Sequence, residues 1–128
     1  MPLIYQFRIY RQDLQRNPGV LYVFGDNVKR VGLGGQAAEM RGEPNAVGVA
    51  TKWEPSSERP ACFFSDTNID QQKQIISKDL APVLKALKEG KTVIWPLDGI
   101  GSGLSEVPTR APQTWAWMEG VRKGLEKL

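Results

Sequence analysis

The sequence predicts an α/β fold, a three-layer α/β/α sandwich around a mixed central sheet, in one domain spanning residues 1–128. Three observations carry that expectation. Short apolar runs suited to buried strands alternate with stretches of helical period. Two of the runs, Val20–Phe24 and Thr92–Leu97, each lead into a glycine-rich turn. Finally, 128 residues with 41% hydrophobic content are enough for one core, and helices between strands tend to cover both faces of a sheet.

The first element expected is a half-exposed strand over Leu3–Tyr10, where Leu3, Tyr5, Phe7 and Ile9 alternate with Ile4, Gln6 and Arg8. Asn17-Pro18-Gly19 is a turn, and Val20–Phe24 is a continuous apolar run fit for a central strand. A short, Ala-rich helix follows over Gly35–Met40 and stops near Gly42, and Ala46–Thr51 is small and apolar, another buried strand. Trp53–Pro60 has loop chemistry, with two prolines and two serines, and Ala61–Phe64 is a short strand candidate. Thr67 or Asn68 caps a long helix with Asp70 in its first turn, where negative charge is favoured. Its apolar face is Ile69, Ile76, Leu80, Val83, Leu84 and Leu87, and Gly90 ends it. Pro82 should kink or split that helix. After the Thr92–Leu97 strand, a last helix is expected over Pro112–Leu128, with Trp115, Met118, Val121, Arg122 and Leu125 as its buried stripe.

Composition narrows the chemistry. The net charge of +3, from 17 basic and 14 acidic residues, permits anionic ligands without requiring nucleic acid. With no histidine, Ser-His and Cys-His pairs are excluded, and with one cysteine so are Cys/His zinc sites. No metal and no cofactor are expected. Lone Cys62 cannot form an internal disulfide, fits a reducing compartment and reads as structural. No stretch approaches the ~20 apolar residues of a membrane helix, and Met1–Tyr5 does not resemble a leader, so a cytoplasmic protein is expected.

The site candidates gather at strand ends. Asp26 and Asn27 close the second strand, where short polar side chains form a turn or reach into a crevice. Gly32, Gly34, Gly35 and Gln36 precede a helix that begins with small residues, leaving its N–H donors free for an anion or simply allowing tight packing. Thr51-Lys52 ends the next strand, and Lys52 there neutralises a phosphate, acts as a nucleophile, or merely reaches solvent. The strongest segment is Asp98-Gly99-Ile100-Gly101-Ser102-Gly103-Leu104, followed by Ser105 and Glu106. Three glycines in five positions imply special dihedrals or close backbone approach. Two such loops suit a ligand with two phosphates, or with a phosphate and a sugar. Among four tryptophans, Trp95 and Trp115 fall on core positions, while Trp53 is the better exposed aromatic.

From Leu21 to about Met118 these segments resemble a macro domain. Asp26-Asn27 stands where that family carries its Asn-containing motif, Gly32–Ala38 looks like its glycine-rich stretch, and Ile94–Leu104 is similar to its diphosphate-binding strand and loop. The resemblance is nearest to the branch containing the terminal ADP-ribose protein glycohydrolase and the bacterial antitoxin that removes ADP-ribose from DNA. It implies binding of ADP-ribose, or of ADP-ribosylated protein or DNA, and hydrolysis of the ADP-ribosyl linkage with Lys52 as nucleophile and Glu106 or Asp98 handling the proton. Thr51, Gly99–Leu104 and the first glycine loop would hold the ligand. The glycohydrolase carries an acidic residue where this chain has Ser105, so either Glu106 takes its place or the protein binds without cleaving. Arg41–Asn45 matches none of the better-known branches and suggests a side branch of the kind found in bacteria and their phages. The rivals are a non-catalytic nucleotide sponge, a phosphatase acting on ADP-ribose 1″-phosphate, and a nucleic-acid-binding domain. No oligomeric state follows from the sequence.

Overall fold

The structure is a computed structural model that describes residues 3–128. Met1 and Pro2, part of the stretch considered for a leader, lie outside the described residues. The chain runs β1 (Leu3–Gln6), α1 (Arg11–Arg16), β2 (Leu21–Asn27), α2 (Ala37–Met40), β3 (Ala46–Lys52), α3 (Ile69–Lys88), β4 (Val93–Pro96), α4 (Val107–Arg110) and α5 (Pro112–Glu126). The four strands form one sheet in the order β1-β4-β2-β3, and every pairing is parallel. The expected mixed sheet is therefore corrected to a parallel one.

The physical reason is α1. Each strand is followed by a helix before the next strand begins, which is the connection parallel neighbours need. The alternation read over Leu3–Tyr10 is half strand: pairing stops at Gln6, and Ile9 turns into the core ahead of α1. One turn and a half of helix with a single buried residue, Leu14, shows no period. What starts it is local: the Asp13 carboxylate accepts the Tyr10 N–H at 2.9 Å, satisfying a donor at the helix start.

One further expectation changes, and the two alternatives for Pro82 narrow. Ala61–Phe64 is not a strand; Pro60–Cys62 is a turn of 3-10 helix, and Phe63 makes only an isolated antiparallel bridge to Lys52. Pro82 does not split α3, which is continuous over Ile69–Lys88. Pro82 is exposed, while Ile76, Leu80, Val83 and Leu87 anchor the helix on both sides of it. Asn68 occupies the cap position of α3 without a side-chain bond, and Ser65 caps the 3-10 turn just before it. On α5, Met118 and Leu125 are buried, whereas Trp115, Val121 and Arg122 are only half-buried.

Alternate strand residues feed two separate hydrophobic clusters, as the two-residue strand period requires. Val23, Val49, Val93 and Trp95 join the α3 and α5 side chains in the larger one. Tyr22, Phe24 and Ile94 join Leu14 of α1 and Ala37 and Met40 of α2 in the smaller. Gln72 and Thr114, both fully buried, tie α3 to α5 through a 2.6 Å hydrogen bond donated by the Thr114 hydroxyl. Among the described residues no helix is long and apolar enough to cross a membrane.

Candidate functional site

The sheet opens where its strands end. β2 pairs with β3 as far as Asn27 but with β4 only at Leu21↔Val93 and Tyr22↔Ile94, so the carboxyl ends of β2 and β4 part. A cavity of about 270 Å³ lies between the glycine loops that follow these two strands. Gly32, Gly34, Gly35 and Gln36 line it from the first loop, and Asp98, Gly99, Gly101, Ser102, Gly103 and Leu104 from the second. Asp26 and Asn27 of β2 and Thr51 and Lys52 of β3 complete it. Sequence reasoning thus places fourteen of its sixteen residues on one cavity. The other two face elsewhere. Ile100 is 3% exposed in the larger cluster, and Glu106, at the start of α4 with a left-handed φ of 52°, points its carboxylate 3.7 Å from Arg110.

Both loops are amide donors in waiting. Among the described residues, no acceptor meets the backbone N–H groups of Val31 to Gln36 or of Ile100 to Ser105. Ten of these twelve residues line the cavity, and clustered unpaired N–H groups are what an anion site needs. The second loop is held by Gly101, whose φ is 93° and whose carbonyl accepts the Val107 N–H at 2.9 Å. A Cβ there would sit 2.9 Å from Val107 Cγ2 and 3.3 Å from Thr51 Cγ2, so only glycine fits.

The first loop is held by a residue that sequence reasoning missed. Arg41, just past α2, donates from Nε to the Gly32 carbonyl at 2.7 Å and from Nη2 to the Val31 carbonyl at 3.2 Å. Its Nη1 and Nη2 also bond the two carboxylate oxygens of Asp26. Asp26 is buried over Gly48, where a Cβ would lie 2.5 Å from its Oδ2, and it also accepts the Asn27 N–H at 2.8 Å. Its carboxylate is therefore engaged by the protein, and Arg41 spends four of its five N–H donors inside the fold. A basic residue at the end of a short helix was the available signal.

Two side-chain acceptors remain open. Asn27, 6% exposed, donates its Nδ2–H to the Val31 carbonyl at 2.7 Å, while its Oδ1 has no partner among the described residues. Gln36 Oε1 is likewise buried and unpartnered. The Thr51 hydroxyl is used, donating to the Asp26 carbonyl at 3.1 Å.

Lys52 is 6% exposed. Its Nζ donates to Ser57 Oγ at 2.8 Å and to the Pro55 carbonyl at 3.4 Å, and lies 4.5 Å from the Phe63 ring centre. Burial, helped by nearby Arg110, pushes its pKa below a lysine's ordinary value, against weaker opposing effects from Cys62 and Glu106. Phe7, Pro55 and Ser57 also line the cavity and carried no sequence signal of that role; Ser105, which stands where the glycohydrolase carries its acidic residue, lines it too. Trp53 does not line it: half-buried, it packs edge-on against Phe64 at 4.8 Å because the Pro/Ser loop folds back, with the Trp53 N–H on the Cys62 carbonyl at 2.9 Å. Cys62 itself is a buried free thiol, as expected of a structural residue. Among the described residues no group of three His, Cys, Asp or Glu could hold a metal.

Fold and site together define an α/β protein with an amide-lined cavity at the carboxyl ends of a parallel sheet. The chain belongs to a family of unknown function, DUF7831, which it matches over residues 4–121. No curated protein and no solved structure matches it.

Two outcomes follow from these environments. Arg41→Ala strips the buried Asp26 of its main partner and should cost roughly 1–3 kcal/mol in urea unfolding. An unchanged midpoint would show that the pair does not hold the loop. For Lys52, the folded pKa lies below the unfolded one, so between them the unfolded chain binds the extra proton and stability rises with pH. Lys52→Met should be more stable than the parent at neutral pH, with the gap closing as pH nears 10.5. A gap that stays constant with pH would contradict the desolvated lysine.

Proposed function

We propose that the cavity binds ADP-ribose, or a closely related nucleotide bearing two phosphates and a sugar, and that the chain is a macro-type domain. The observation that carries this is the pair of opposed loops, each with six unpartnered N–H groups. A diphosphate has enough acceptor oxygens to use such a site, and amides aimed at phosphate are a recurrent solution in α/β folds. The Gly99–Leu104 loop takes the diphosphate, while the first loop takes the distal ribose and one phosphate. Asn27 Oδ1 accepts from a ribose hydroxyl, which relieves an otherwise orphaned buried acceptor.

The reading extends to architecture. The two clusters, one with α1 and α2 and one with α3 and α5, support a three-layer α/β/α sandwich. The chains leaving β2 and β4 then turn to opposite faces, and the crevice between such strands is where open α/β sheets bind ligands. The lone buried thiol of Cys62 accords with a cytoplasmic setting.

Hydrolysis of an ADP-ribosyl linkage is a second reading, favoured by one feature: a desolvated lysine amine on the wall of the same cavity. Neutral Lys52 attacks the anomeric carbon, and the bond to the carried carboxylate or base breaks. Asp98 takes the amine proton, since Asp26 is engaged by Arg41 and Glu106 lies outside the cavity. Water then releases ADP-ribose and restores the amine. The displaced position of Glu106 favours the non-catalytic alternative, a sponge that retains intact ligand.

Calorimetry with ADP-ribose tests the binding. A Cβ added at Gly103 would meet nothing within 4 Å, so Gly103→Glu starts from open space and brings a carboxylate to the loop. It should weaken a micromolar affinity by at least about tenfold, through charge repulsion. No heat with the parent protein at millimolar ADP-ribose would sink the reading. On an ADP-ribosylated protein or DNA, Lys52→Ala should abolish release of ADP-ribose while binding persists. Unchanged turnover removes Lys52 as nucleophile, and no turnover by a tightly binding parent leaves the sponge.

A further inference from the structure

Lys52 has a partner that the nucleotide reading leaves unused. Its Nζ lies 2.8 Å from Oγ of Ser57, an exposed residue on the wall of the same cavity. Two other groups orient the amine: the Pro55 carbonyl at 3.4 Å and the Phe63 ring, whose centre is 4.5 Å from Nζ. Ser57 is presented by a defined turn, in which the Ser56 hydroxyl accepts the Glu58 N–H at 3.2 Å with Ser57 between them. The base of this loop is closed by the Trp53 N–H on the Cys62 carbonyl at 2.9 Å.

A hydroxyl within hydrogen-bond reach of a base, with the base itself oriented by a third group, is the arrangement that activates a serine nucleophile. A lysine serves as that base when its amine is neutral. Burial, the largest influence on Lys52, favours the neutral form; Cys62 and Glu106 oppose it and Arg110 adds to it. Two further parts of a hydrolytic centre adjoin the pair. A Cβ added at Gly32 would lie 3.2 Å from Pro55 Cβ, so the first loop, with its unpaired N–H groups, packs against the segment that carries Ser57. Donors of that kind hold an oxyanion. Phe7, Val31 and Leu104, all exposed, line the same cavity and offer an acyl chain an apolar wall.

We infer that Ser57 and Lys52 form a nucleophile–base pair that hydrolyses carboxylic esters of apolar acids. The Ser57 hydroxyl proton passes to the neutral Lys52 amine as Oγ attacks the ester carbonyl carbon, and the loop amides hold the resulting oxyanion. The bond from that carbon to the alkoxy oxygen breaks, and the Lys52 ammonium returns its proton to the departing alcohol. Water then gives a proton to Lys52 and attacks the acyl carbon. The bond to Ser57 Oγ breaks, Oγ recovers the proton from Lys52, and the carboxylic acid leaves. The activity does not require ADP-ribose as a ligand, and it uses Lys52 as a base rather than as a nucleophile.

The test uses a fluorophosphonate, which phosphonylates an activated serine with loss of fluoride, and p-nitrophenyl butyrate as the ester. Mass spectrometry of the parent should find one phosphonyl group, on Ser57. Lys52→Met should slow that labelling by at least about a hundredfold, and so should Lys52→Arg, which keeps a cation in place but does not give up its proton. No adduct in the parent, an adduct on another serine, or equal rates in either lysine variant overturns the pair. The parent should release nitrophenol over many turnovers, and Ser57→Ala should lower that rate by at least about a hundredfold. An undiminished rate in Ser57→Ala overturns the inference, as does a butyryl group found on Lys52 instead of Ser57, which would leave the lysine nucleophile of the earlier reading. Calorimetry keeps the two proposals apart. ADP-ribose binding without a Ser57 adduct overturns the ester hydrolase alone, and an adduct without ADP-ribose binding supports it while overturning the nucleotide site.

Discussion

The ion pair between Asp26 and Arg41 is the constraint on which the site depends. Asp26 lies over Gly48 because no other residue at that position would leave room for its carboxylate. So placed, it fixes a guanidinium whose other donors hold the Val31 and Gly32 carbonyls. In a planar trans peptide the C=O of one residue and the N–H of the next point in opposite directions. The N–H groups of Gly32 and Leu33 therefore lie on the side of their peptide planes away from Arg41. A loop rich in glycine has many conformations to lose, and a side-chain clamp on two of its carbonyls fixes one of them. The pair's charges cancel within the fold, which leaves Arg41 to shape the loop.

The second loop reaches a similar result by steric means. Gly101 is pressed between Val107 and Thr51, and its carbonyl starts α4 by taking the Val107 N–H. Thr51 links this to β2 through the Asp26 carbonyl, so the two loops are referenced to the same strand ends. The early parting of β2 and β4 makes the space between them. The cavity is thus a consequence of sheet geometry, and the glycines determine what lines it.

This division explains what could be read in advance. Glycine clusters after apolar runs are legible because the backbone requirement is written in the residue type itself, and fourteen of sixteen named positions reach the cavity. Ile100 and Glu106 fail for a reason that spacing cannot show: inside an irregular loop neighbouring side chains have no fixed period, so Ile100 turns to the core and Glu106 to Arg110. Arg41 showed only as a basic residue after a short helix, because its role depends on contacts up to fifteen residues away. The parallel sheet was missed along with α1, whose six residues bury only Leu14. Trp53 read as exposed from its Pro/Ser neighbours, yet the Lys52–Phe63 bridge brings it against Phe64. Local composition identified the loop and long-range contact decided its direction.

The electrostatics of the cavity also separate its rival readings. Two cationic side chains line it, Arg41 and Lys52. The first is neutralised by Asp26, and the second is desolvated and bound to Ser57 and the Pro55 carbonyl. Attraction for an anion therefore comes mainly from fixed N–H dipoles rather than from mobile surface charge. Dipoles act over short range and reward an anion that enters the cavity, whereas a nucleic-acid backbone is held chiefly by exposed lysines and arginines that displace counterions. The net charge of +3 is small and lies largely outside this cavity. On the proposed reading a ligand small enough to sit between the loops uses those amides, whereas an extended polyanion crossing the surface would leave most of them unused.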